Sequence, residues 1–149
     1  SKGERMSSEY IEEFNTLLSG EISAVDTYTL AMEHVKNADV RQALLKCQMS
    51  HADRVAKLTA EIRALDGIPG KTSGLWGGFE AMTQNSASTE ADALAIMELA
   101  EAERLVQYEA QQKIVGEYVS SVITNDLLPA QHETHLIVST MLKALQPSI

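Results

Sequence analysis

Positive charge, cysteine, proline and aromatic residues are all scarce in this chain, and each shortage excludes something. Twelve Lys and Arg stand against 21 Asp and Glu, a formal net charge of −9. Phosphate contacts need clustered basic residues, so nucleic-acid binding is not expected. No apolar run approaches the roughly 20 residues that cross a bilayer, so no membrane partner is expected either. The single cysteine, Cys47, has no partner for an internal disulfide, and no secretory segment is visible. A cytoplasmic location is therefore the expectation. The chain opens at Ser1 rather than Met, which leaves room for a removed leader, and its first five residues read as a remnant. Three Pro, two Phe and one Trp in 149 residues, 44% of them hydrophobic, speak against a sheet or a disordered chain and for one all-α domain with a sizeable core.

What the chain does have is helical periodicity. Steps of three and four give Ile11, Phe14, Leu18, Glu21, Val25, Tyr28, Met32 and Val35 in a first segment. A second runs Val40, Leu44, Gln48, His51, Val55, Leu58, Ile62, Leu65, and a third Leu94, Met97, Glu101, Leu105, Tyr108, Gln112, Val115. A fourth runs Leu128, Gln131, His135, Val138, Leu142, Leu145. Such stripes are the buried faces of helices. Ser8 as cap opens the first helix, Asp39 with Gln42 the second, and Thr89 with Asp92 the third. Gly67 and Pro69 close the second, and Gly116 separates the third from the fourth. Helices are expected at about 8–36, 39–66, 89–115 and 117–146, with a crossover at 67–88 holding a short helix around Trp76, Phe79 and Met82. Pro129, inside the fourth helix, should kink or bulge it.

Short links inside each pair and about twenty residues between pairs give two antiparallel hairpins joined by one long crossover, a four-helix bundle. The hairpins form a degenerate repeat. Glu21 and Tyr28 recur as Glu101 and Tyr108, and Leu44, Leu45 and Gln48 recur as Leu127, Leu128 and Gln131. Each stripe also carries polar groups where apolar ones belong: Glu21; Gln48 and His51; Glu101; Gln131, His132 and His135. Burying an unpaired charge is costly, so these groups should converge on one shared site.

On these residues the chain resembles the ferritin-like superfamily over nearly its whole length. Within it the chain most resembles a group of uncharacterised bacterial ferritin-like domains, through the run from Leu18 to Tyr28, the Leu75-Trp76-Gly77-Gly78-Phe79 linker and Leu127-Leu128-Pro129-Ala130-Gln131. The resemblance implies a ferritin-like bundle with a core metal site of one Glu from each of two helices and a Glu-x-x-His from each of the others. Glu21 and Glu101 match the single glutamates, and His51 matches a histidine. Gln48, however, stands where a bridging glutamate belongs. In the fourth helix one register pairs His51 with His135 and Gln48 with His132; the register one residue shorter pairs Gln48 with Gln131 and sets Thr134 opposite His51. Neither supplies a glutamate.

The expected metal ligands are thus Glu21, Gln48, His51, Glu101, Gln131, His132 and His135. The expected cofactor is one or two divalent ions, with Fe first by resemblance and Zn, Cu or Mn allowed by the donors, or none. Redox activity toward iron or oxygen species is what the resemblance implies. The rival is a non-enzymatic structural or stress-associated bundle whose buried layer is only a hydrogen-bond network. Trp76 and Phe79 are expected first to pack on the bundle, with a partner or homodimer surface as the alternative.

Overall fold

The computed structural model describes residues 2–71 and 89–145. Among them every regular element is helical: α1 (Lys2–Glu33), α2 (Ala38–Ala64), α3 (Glu90–Ile114), α4 (Glu117–Val122), a π-helical turn (Ile123–Leu127) and α5 (Leu128–Leu145). No helix among the described residues is long and apolar enough to cross a membrane. The expected helix around Trp76, Phe79 and Met82 lies outside the described residues.

Caps set the boundaries, and two differ from expectation. Helix α1 begins well before Ser8, which is therefore interior and caps nothing. Helix α2 is capped by Asn37 rather than Asp39, with Asn37 Oδ1 accepting from the Val40 amide at 3.1 Å. The Thr89–Asp92 capping box is present, each side chain bonding the other's backbone amide at 3.1 Å. Helix α2 ends in a Schellman motif: the Gly67 amide bonds the Ile62 carbonyl and the Asp66 amide the Arg63 carbonyl, both at 2.9 Å. The left-handed residue is Asp66 (φ 62°), not Gly67; Asp is among the few non-glycine residues that tolerate it.

Side-chain ties fix the topology. Asn15 on α1 holds the exit of α2, donating to the Ile68 carbonyl at 3.2 Å and accepting from the Gly70 amide at 2.7 Å. Glu90, the first residue of α3, accepts from the amides of Lys36 and Asn37 at the far end of α1. Leaving α2 beside Asn15 and starting α3 beside Asn37, the chain changes ends of the bundle, about 30 Å at 1.5 Å per residue. Helices α1 and α3 run antiparallel, as does α2 with the π turn and α5, where Lys57 meets Asp126 of the turn and Lys46 meets Glu133 of α5.

The core divides in two. One apolar cluster gathers Tyr28, Val35, Val40, Leu44, Leu94, Met97 and Val138, and the other Phe14, Leu17, Leu18, Leu58, Ile62, Tyr108, Ile123 and Leu127. Fully burying one such aliphatic or aromatic side chain contributes about 1.5–3 kcal/mol, so both clusters drive folding. Between them lies a slab of buried polar side chains.

Candidate functional site: a charged layer across the core

Each of the four long helices, α1, α2, α3 and α5, sends at least one polar side chain into this slab. Glu21 (α1), His51 (α2), Glu101 (α3) and Gln131 (α5) have no solvent exposure at all. His51 is the hinge of the layer. Its Nδ1 faces Glu21 Oε2 at 2.5 Å and its Nε2 faces Glu101 Oε1 at 2.7 Å. An imidazole that donates from both nitrogens is an imidazolium. Burial pushes the His51 pKa down, but Glu21 and Glu101 outweigh it and the pKa is raised above 6.5.

The repeat noticed in the sequence is a crossed one in space. Tyr28 donates its hydroxyl to Glu101 Oε1, and Tyr108 donates to Glu21 Oε1. Each tyrosine serves the other hairpin's glutamate. Glu101 Oε2 is filled by Gln131 Nε2 at 2.5 Å and Thr134 Oγ1 at 2.7 Å. Gln131 also donates to the Glu101 carbonyl at 2.8 Å.

Two arginines complete the layer. Arg54 Nη1 and Arg104 Nε each lie 3.4 Å from Glu21 Oε1. Arg54 further donates to Gln131 Oε1, Ser50 Oγ, the Ala130 carbonyl and Thr134 Oγ1. Its Nε is buried without a hydrogen-bond partner. Arg104 donates to the Leu17 carbonyl at 2.8 Å and lies over the Tyr108 ring, 4.4 Å from its centroid. Burial pushes the Glu21 carboxyl up, yet His51, Arg104 and Arg54 together bring it down to about 2. Glu101 is likewise opposed by burial and lowered, chiefly through His51. Burial and Glu101 push the Tyr28 hydroxyl well above its usual range, and Cys47, buried beside the Thr134 carbonyl, goes up to about 12. Neither ionises in this setting.

The other expected ligands fall elsewhere. Gln48 is half-buried and turned to α1, donating to the Val25 carbonyl at 2.9 Å and to Thr29 Oγ1 at 2.8 Å. His132 is exposed. His135 sits at the bundle edge on Glu98, Nε2 to Oε1 2.9 Å. The cause is Pro129. Lacking an amide hydrogen, it cannot bond the Asn125 carbonyl, and the preceding turn widens so that the Leu128 amide bonds the Ile123 carbonyl five residues back. That extra residue selects the shorter register, turning Gln131 and Thr134 inward. Among the described residues, no three His, Cys, Asp or Glu side chains are disposed to hold a metal ion.

Arg54 and Arg104 were hidden by the stripe reading, which gave their places to the apolar neighbours Val55 and Leu105. Both neighbours are only half-buried, while the arginines are buried. A signal did exist. Each arginine stands three residues after a polar seam position, His51 or Glu101, and so one turn along the same face.

No curated protein and no solved structure matches the chain. A family model does, over residues 9–115, which takes in Glu21, His51, Arg54, Glu101 and Arg104: the chain belongs to the family described as Domain of unknown function (DUF2383).

Proposed function

We propose that this protein is a non-enzymatic, ferritin-like helical bundle whose buried layer is a metal-free network that sets how the two hairpins mate. One observation carries this reading: all four carboxylate oxygens of Glu21 and Glu101 already face protein donors or cations. The ferritin-like assignment is supported by the antiparallel hairpins, the change of ends between α2 and α3 and the crossed Glu–Tyr repeat.

A divalent pair, which the resemblance implies, fits these residues poorly. It brings four positive charges to two carboxylates that already meet two guanidiniums and an imidazolium. At an effective dielectric of about 20, one dication roughly 5 Å from one guanidinium is opposed by roughly 7 kcal/mol. The glutamates that would bridge such a pair are replaced by Gln48, which faces α1, and Gln131, whose oxygen is taken by Arg54. An amide in the bridging position adds no negative charge.

The test is metal analysis of protein purified without chelator, with melting curves before and after added Fe2+, Zn2+ and Mn2+. The expected result is a substoichiometric metal content and an unchanged melting temperature. Tightly held stoichiometric metal, whose removal lowers the melting temperature, would overturn the proposal.

A further inference from the structure

We infer that Arg54 and Arg104 are the layer's built-in counter-cations, supplying the positive charge that the ferritin-like resemblance assigns to metal, and that Gly20 is the opening that admits Arg104. The inference rests on the metal-free reading above and adds the residues responsible for it.

Charge comes first. Glu21 and Glu101 bring two negative charges, and Arg54 and Arg104 two positive ones, so the layer is balanced before His51 is counted. Both arginine side chains are nearly closed to solvent, 4% and 6% exposed, which is rare for arginine without a buried partner. Arg54 is held by four hydrogen bonds from its Nη atoms together with the Glu21 carboxylate, and it stays buried although its Nε makes no hydrogen bond.

Steric fit follows. Gly20 lies in the middle of α1, where glycine weakens a helix and needs a reason. A Cβ there would stand 2.5 Å from Arg104 Cζ and 2.7 Å from Nη2. The guanidinium packs against α1 at Gly20, and its Nη2 donates to the Leu17 carbonyl at 2.8 Å. The repeat supplies an internal control. Shifted by the spacing that relates Glu21 to Glu101, Gly20 corresponds to Ala100 and Arg104 to Ala24. Where the arginine crosses, the opposite helix has glycine. Where it does not, both positions are alanine.

Two sets of variants test the inference, with Co2+ as the probe, read by its visible absorption. Wild type should take up none. R54M/R104M, stripped of both guanidiniums but keeping Glu21, His51 and Glu101, should take up stoichiometric Co2+ and melt at a higher temperature with it. If that variant is unfolded alone, Co2+ should restore its helical circular dichroism. In the second set, G20A displaces a guanidinium held by Glu21 and the Leu17 carbonyl and should lower the melting temperature, while G20A in an R104A background should raise it, because the collision has gone and alanine favours the helix. Co2+ uptake by wild type would overturn the metal-free reading itself. A blank wild type with a blank R54M/R104M, folded or unfolded, would overturn this inference alone, and so would equal effects of G20A with and without Arg104.

Discussion

Replacing Glu21 with Gln tests the layer most directly, because one carboxylate there faces His51, Arg54 and Arg104 together. The substitution keeps the shape and one acceptor oxygen, removes the charge and turns the other acceptor into an NH2 donor. A carboxyl held at about 2 against an ordinary 4.5 represents about 3 kcal/mol of stability at neutral pH. Removing one partner of a buried ion pair costs about 3–5 kcal/mol in general, so two routes agree. For a chain of this size that is a fall of roughly 6–12 °C in melting temperature. The sign with pH follows from the lowered pKa. The contribution is complete above about 4.5 and is lost as pH falls toward 2. Urea denaturation of wild type and E21Q should therefore differ by about 3 kcal/mol at pH 7 and converge as the pH approaches 2. A gap under about 1 kcal/mol at pH 7, or one that does not narrow on acidification, would refute the electrostatic account.

His51 should behave oppositely. Its raised pKa means that its charge contributes fully below about 6.5 and is lost as pH rises through the folded value. The stability gap between wild type and H51F should be wider at pH 6 than at pH 9, and its ring should titrate by NMR above the free-histidine range. Y28F and Y108F each remove a buried donor to a glutamate, and each should cost about 1–3 kcal/mol by chemical denaturation. The wide turn before Pro129 holds one residue more than an α-helix needs. Deleting exposed Asn125 together with Pro129→Ala should keep α5 in register, leaving Gln131 buried. Deleting exposed Ala56 from α2 should turn Leu58 and Ile62 by about 100° and unfold the protein.

How far the layer was legible depended on which side of each helix the pattern favoured. Glu21, His51 and Glu101 stood out because a charge interrupts an apolar stripe. The stripe itself was imprecise by one position. In α2 the buried face runs through Val40, Leu44, Cys47, His51, Arg54, Leu58 and Ile62, so Cys47 and Arg54 take the places that apolar spacing offered to Gln48 and Val55. A rule that always sends the apolar neighbour inward cannot find a buried arginine. Nor could spacing choose between the two registers of the last helix, because a π turn holds just one residue more than an α turn and leaves no mark in the apolar periodicity before it. The Gly116 turn and the Thr89–Asp92 box were legible because backbone capping is local chemistry, independent of packing. Helix α1 ran past Ser8 for the same reason in reverse: nothing in Lys2–Ser8 forbids a helix.

Why a bundle should carry such a layer follows from the two apolar clusters on either side of it. Their side chains are interchangeable in kind, mainly Leu, Ile, Val and Tyr, and the two hairpins are degenerate copies. Apolar packing alone would discriminate weakly between the observed mating and one slipped by a turn, about 5.4 Å. The crossed bonds do discriminate. Tyr28 to Glu101 and Tyr108 to Glu21 form together only when α1 and α3 are antiparallel at one offset, and His51 then spans both glutamates. A slip by one turn would leave Glu21 with His51 and Arg54 in its own hairpin, but would part Arg104 from Glu21 and Glu101 from His51 and Tyr28, several kcal/mol for each buried charge left unpaired. Replacing the whole layer with apolar residues of matching volume can therefore keep or raise stability while losing the unique alignment. Stability and specificity separate at this slab: the clusters supply the first, and the charged residues the second.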